Sequence, residues 1–152
     1  MNDLADFEAS YQRKIPVYKK EFDILYRQAQ KYMSIDREVV QTYIAERGVS
    51  YQTLLDLGIG CLPPEAIKWN HEVIVFPYFL NGKVVGLRYR DVGHNKGCQP
   101  DSFWTLAGLD AFEDEPDLSS KILIITEGET DRLRTSKATV LVKPAIPCLA
   151  AT

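Results

Sequence analysis

Residues 121–131 read Lys121-Ile122-Leu123-Ile124-Ile125-Thr126-Glu127-Gly128-Glu129-Thr130-Asp131, four consecutive aliphatic residues running into three carboxylates around one glycine. A short unbroken apolar run of this kind predicts a strand covered on both faces, as in a parallel sheet. Ligands of open α/β sheets collect outside the carboxyl ends of such strands. Glu127, Glu129 and Asp131 stand at that end, and Gly128 lets the backbone turn sharply and approach a ligand closely. Three carboxylates so near together repel one another unless a cation shares them, and an all-oxygen set suits Mg²⁺ or Mn²⁺. The same pattern also serves as a solvated acidic turn at the start of a helix, so spacing alone leaves both readings open.

Upstream, Glu72-Val-Ile-Val-Phe-Pro77-Tyr-Phe79 and Lys83-Val-Val-Gly86-Leu-Arg88-Tyr-Arg90 are two strand patterns separated by Leu80-Asn81-Gly82. Asn-Gly between apolar runs predicts a hairpin, because a type I′ turn needs positive φ at both central residues. Arg88 and Arg90 fall two apart and therefore project from one face, with Val85, Leu87 and Tyr89 on the other. That basic face reads either as a solvated outer strand that resists edge pairing, or as a track for phosphates, whose oxygens the guanidinium fork binds in pairs. Gly93-His94-Asn95-Lys96-Gly97 then reads as a mobile, glycine-bounded loop. His94 lacks a histidine or cysteine partner at metal-binding spacing. Phe103 and Trp104 open an aromatic stretch suited to core packing or to stacking on bases.

The residues before the hairpin are helical in pattern. Phe22, Leu25, Tyr26 and Ala29 recur at spacings of three and four, with Pro16 dividing the stretch before them. Ser34 or Asp36 offers a cap for a second helix, whose stripe of Val39, Val40, Tyr43 and Ile44 ends at Gly48. Ser50 caps a third, short helix closed by Gly58-Ile59-Gly60, and Pro63-Pro64 marks the passage to β structure.

Several of these segments resemble one family. Glu127-Gly128-x-x-Asp131 after a buried strand resembles the first motif of the Toprim domain, shared by bacterial-type primases, phage primase-helicases, topoisomerases and some nucleases. Tyr43-Ile-Ala-Glu-Arg47-Gly48-Val-Ser50 with Leu54-Leu-Asp-Leu-Gly58-Ile-Gly60 resembles the helical lead-in of primase catalytic domains. Val75-Phe76-Pro77, followed by Asn81-Gly82-Lys83-Val-Val-Gly86-x-x-x-Arg90, resembles their central strands. The resemblance covers roughly residues 34–131 and implies an α+β fold: a helical amino-terminal part, a small mainly antiparallel sheet, then the first strand of a Toprim-like α/β domain.

It implies a division into residues 1–33 as a helical extension, 34–118 as the amino-terminal subdomain of the primase core, and 119–152 as a Toprim start with a basic and apolar tail. It also implies roles. Glu127 would be the catalytic base and a metal ligand, with Asp131 and Glu129 as further ligands of Mg²⁺ or Mn²⁺. Arg90, Arg88, Lys96 and Lys83 would serve template and nucleotide, Arg88 on the same-face argument and Lys96 as the nearest match to a family lysine. The implied partners are a single-stranded DNA template, ribonucleoside triphosphates, and a second primase chain or a replicative helicase.

Composition bounds the alternatives. The 152 residues suffice for one core with a helical appendage. No apolar run is long enough to span a membrane and no signal peptide is legible, so a cytoplasmic protein is expected, in the bacterial host if phage-encoded. Cys61, Cys98 and Cys148 lie far apart, which argues against a zinc site and a disulfide framework. The net charge of −3 hides an asymmetry: the 21 residues after Asp131 carry four cations and no acid, leaving −7 on residues 1–131. Nucleic-acid contact would therefore rest on a local patch. The family's later Asp-x-Asp motif is missing, so primer synthesis is expected to need a complementary chain. A non-catalytic DNA-binding or docking module and a Toprim nuclease stand as alternatives.

Overall fold

The computed structural model describes residues 18–103 together with the backbone of two further strands, Ile124–Thr126 and Cys148–Ala150. In chain order the elements are helix α1 (Lys20–Tyr32), α2 (Glu38–Arg47), α3 (Tyr51–Asp56), strand β1 (Gly60–Leu62), α4 (Pro64–Ile67), β2 (Val73–Leu80), β3 (Lys83–Arg90), β4 (Lys96–Cys98), β5 (Ile124–Thr126) and β6 (Cys148–Ala150). Strands β1 to β4 form an antiparallel sheet in sequence order, and β5 pairs with β6 in parallel. The class is α+β, as the sequence leads one to expect.

The helices cover both faces of the four-stranded sheet, which is why β2 is apolar without interruption and buried from Val73 to Tyr78. On one face α1 contributes Phe22 and Ala29 to a core with Leu62, Val73, Val75, Val84, Leu87 and Tyr89. On the other, α2 and α3 pack Val39, Val40, Tyr43 and Leu54 onto Cys61, Ile74, Phe76 and Tyr78. Burial of each large side chain contributes about 1.5–3 kcal/mol, so each face of β2 anchors a helical layer.

The connections follow from local chemistry. Gly48 ends α2 in the left-handed conformation, φ 64°. The Ser50 hydroxyl accepts from the Thr53 N–H at 3.1 Å and caps α3. At the far end of α3 the Gly58 N–H donates to Leu55 O and the Ile59 N–H to Leu54 O, the paired bonds of a Schellman motif. Tyr26 and Gln30 of α1 both donate to the Gly58 carbonyl, tying that turn to the first layer. Asn81 and Gly82 have φ of 50° and 71°, the conformation expected of the hairpin turn. At the start of α2 the sequence reading is off: the cap position is Arg37, with no side-chain cap bond, while the Ser34 hydroxyl accepts from the Asp36 N–H.

A β-bulge changes the reading of β3. Tyr78 pairs with Gly86 but Phe79 pairs with Val84, so Val85 is an extra residue. The residues facing α1 are consequently Val84, Leu87 and Tyr89 rather than Val85, Leu87 and Tyr89. Nor is β3 an outer strand. Beyond β4 the chain still runs beside it: the Gln99 N–H donates to Leu87 O, the Leu87 N–H to Ser102 Oγ, and the Phe103 N–H to Val85 O. Because Leu87 directs both backbone groups that way, its partner Pro77 has no donor to supply toward β3, and β1 stops pairing at Val75. The proline thus leaves no ladder bond unmade.

Candidate nucleic-acid interface

Pairing fixes the direction of every side chain at the carboxyl end of β3. Arg88 lies opposite Phe76 on β2 and Cys98 on β4; Arg90 lies opposite Ile74 and Lys96. Directly opposed residues share a sheet face. Arg88, Arg90 and Lys96 therefore project together, on the face whose β2 residues are Ile74, Phe76 and Tyr78. The intervening pair, Tyr89 and Gly97, points the other way, where the Trp69 indole packs edge-on to Tyr89 at 5.8 Å between centroids and closes over Gly97.

The face is layered by depth. Arg88 and Arg90 are half-buried and Lys96 is exposed. The Arg88 guanidinium carbon stands 5.9 Å from the centroid of the buried Tyr78 ring, within reach of the negative π face. A guanidinium is weakly hydrated and stacks on aromatics, so it tolerates this partly dry position better than an ammonium does. The result is one arginine seated over an aromatic ring, a second half-buried beside it on the same face, and a lysine at the solvent edge.

The five residues between β3 and β4 are a built turn, not the mobile loop the glycines suggest. Asp91, only 4% exposed, accepts from the Asn95 N–H through Oδ1 and from Asn95 Nδ2 through Oδ2, both at 2.9 Å. The Asp91 N–H donates to Asn95 O and the His94 N–H to Asp91 O. Burial pushes the Asp91 carboxyl up, but the hydrogen bonds from Asn95 and Gly93, with the nearby His71, outweigh it and hold the carboxyl below its ordinary value. His94 takes a left-handed φ of 65° and brings Nε2 to 3.6 Å from the Glu46 carboxylate, near the end of α2. That contact depends on the three-dimensional packing of α2 on β2, which no local pattern encodes.

Lys83 is not part of the cluster. It begins β3, seven residues from Arg90, a separation of about 23 Å at strand rise, and its ammonium lies 4.8 Å from the Tyr18 ring centroid. The candidate metal ligands Glu127, Glu129 and Asp131 lie outside the described residues, as does Trp104. Their entry point is described: β5 ends at Thr126 in parallel pairing, so Glu127 is the next residue at the carboxyl end of a parallel strand. The donor set is all oxygen, which fits Mg²⁺ or Mn²⁺ in its chemistry. Among the described residues no group of three His, Cys, Asp or Glu side chains is placed to hold a metal ion, and no helix is long and apolar enough to cross a membrane. The described thiols, Cys61 and Cys98, are free, and burial pushes Cys61 up to about 12.

No model of a protein family and no curated protein sequence matches the chain. Solved structures do. A DnaG primase catalytic domain bound to single-stranded DNA superposes with a TM-score of 0.59 at 18% identity, over 88% of this chain and 52% of its own. The E. coli primase catalytic core gives 0.59 at 18% identity, over 88% and 54%. The primase fragment of the bacteriophage T7 primase-helicase gives 0.54 at 21% identity, over 70% and 41%. The chain spans about half the length of the primase cores it matches, and what it shares with them is a primase-like fold.

Proposed function

We propose that this chain provides the amino-terminal half of a primase-type polymerase core, holding a single-stranded DNA template and ribonucleoside triphosphates for primer synthesis in DNA replication. The observation that carries the reading is the shared face of Arg88, Arg90 and Lys96, a compact cationic surface on a primase-like sheet. Guanidinium forks bind phosphate oxygens in pairs and fix the register of a backbone without reading its bases. A likeness to a primase domain bound to single-stranded DNA supports the same ligand class here.

In this reading Glu127, Glu129 and Asp131 form part of a Toprim-like metal site. Glu127 accepts the proton of the attacking 3′-hydroxyl, and Asp131 and Glu129 hold the cation. Mg²⁺ or Mn²⁺, when bound, supplies charge stabilisation to the phosphoryl group in transfer. Clamping both the attacking and leaving oxygens takes more oxygen ligands than these three. The proposal therefore includes a complementary segment, in the same polypeptide or a second chain, with a replicative helicase as a further partner.

The test is the affinity of the chain for a labelled single-stranded oligonucleotide at rising salt, with Arg88→Ala/Arg90→Ala alongside, followed by primer synthesis on that template with Mg²⁺ or Mn²⁺. Binding whose salt slope falls by about 0.7 per lost phosphate contact supports the interface. Binding that is absent, or unaltered in the double variant, refutes it. A shortened template, in place of an extended primer, would redirect the assignment to a nuclease. Binding without either product would leave a non-catalytic docking module.

A further inference from the structure

We infer that Asp91 is a positioning residue for phosphate recognition: its buried carboxylate closes the turn that returns Lys96 opposite Arg90. The inference rests on the proposed role of the cationic face.

An anion one residue from Arg90 would oppose phosphate binding if it faced the ligand. Asp91 instead spends all its polar groups inside the turn. Its N–H, C=O, Oδ1 and Oδ2 bond to Asn95 O, His94 N–H, Asn95 N–H and Asn95 Nδ2 respectively. A charged carboxylate with backbone and amide donors makes the stronger class of hydrogen bond, and removing it from a buried position strands those donors.

Apart from the ladder to β3 and the exposed His94–Glu46 contact, this end of β4 has weak support. The strand has three residues, Lys96-Gly97-Cys98, of which none is β-branched or aromatic. Trp69 and Tyr89 clamp Gly97 from the opposite face, but they do not reach the turn bonds that precede Lys96. The left-handed His94 also needs a surrounding structure that dictates it. Loosening the clasp should therefore release Lys96 while leaving the Trp69 packing in place.

A merely structural role would lower stability without routing its effect on binding through Lys96, so the experiment is a double-mutant cycle with a rescue. Single-stranded oligonucleotide binding is measured across salt for the wild-type chain, Asp91→Ala, Lys96→Ala and the two combined, with thermal melts on each. Asp91→Ala should reproduce the affinity loss of Lys96→Ala, lower the salt slope by about 0.7, and add nothing in the Lys96→Ala background. The exchange Asp91→Asn/Asn95→Asp lets residue 91 still accept from the residue 95 N–H and reverses the side-chain bond, so it should restore the wild-type slope. An Asp91→Ala loss that persists in full in the Lys96→Ala background, an unchanged slope, or failure of the exchange in a folded protein overturns the inference. Absence of binding by the wild-type chain overturns the proposed interface itself.

Discussion

Ala29 of α1 sits on Gly60 of β1 with no room between them for a side chain: a Cβ on Gly60 would lie 2.7 Å from the Ala29 Cβ and 2.9 Å from its carbonyl carbon. This contact seats the first helix on the sheet. Gly60→Ala should cost about 1–3 kcal/mol of unfolding free energy in urea, the range for overpacking a tight core. Adding Ala29→Gly should recover only part of it. The Ala29 backbone remains in the way, and glycine within a helix costs about 1 kcal/mol.

Gly97 makes the matching demand at the other edge of the sheet. A Cβ there would run into the Trp69 ring that packs on Tyr89. Gly97→Ala should shift the tryptophan emission and weaken the near-ultraviolet circular dichroism, with a lower melting temperature. Trp69→Leu in the same background should relieve the clash. An unaltered emission spectrum would show that the indole does not lie over Gly97.

Acid stability should carry the signature of Asp91. Its folded pKa is depressed below the ordinary value of 3.8, so the stabilisation it gives is complete well above 3.8 and is lost as the pH falls through the folded value. Asp91→Asn should therefore lower stability at neutral pH and flatten its decline below about pH 4. Urea midpoints measured across that range check both parts.

Arg88 and Arg90 should not be replaceable by lysine without loss. Both arginines are half-buried, and Arg88 lies over the Tyr78 ring. Lysine keeps the charge but forfeits the planar fork and prefers full hydration. Arg90→Lys should weaken oligonucleotide binding while Lys96→Arg, at an exposed position, should preserve it. Equal tolerance at both positions would argue that only net charge matters.

Ser50→Ala should cost about 1 kcal/mol, because it removes the oxygen that accepts from the Thr53 N–H at the start of α3. A denaturant titration at constant slope is the measurement.

The parts of this fold legible in the sequence are those where one residue type has a single local solution. Asn81-Gly82 demanded positive φ twice, Gly48 and Gly58 demanded it at helix ends, and Ser50 supplied an oxygen where α3 lacked a partner. Arginines two apart on a strand had to share a face. The rest depended on distant contacts. Lys96-Gly97-Cys98 has no strand-forming composition and becomes β4 through Trp69, Tyr89 and the Asp91 turn. Nothing in Val84-Val85-Gly86 says which residue is supernumerary, since both valines are buried. Strand β6 begins directly after Pro147, where the sequence suggested only an apolar tail.

That supernumerary residue has a consequence for how this protein tolerates change. The hairpin tip and the arginine-bearing end of β3 are out of step by one position, and Val85 is where the mismatch is absorbed. A chain shortened there could keep its tip or keep its guanidinium groups on their present side, but not both. Comparison with other sequences by strict two-residue alternation from the turn would assign those arginines to the side occupied by α1. They are correctly located by counting back from Lys96, or across from Ile74 and Phe76.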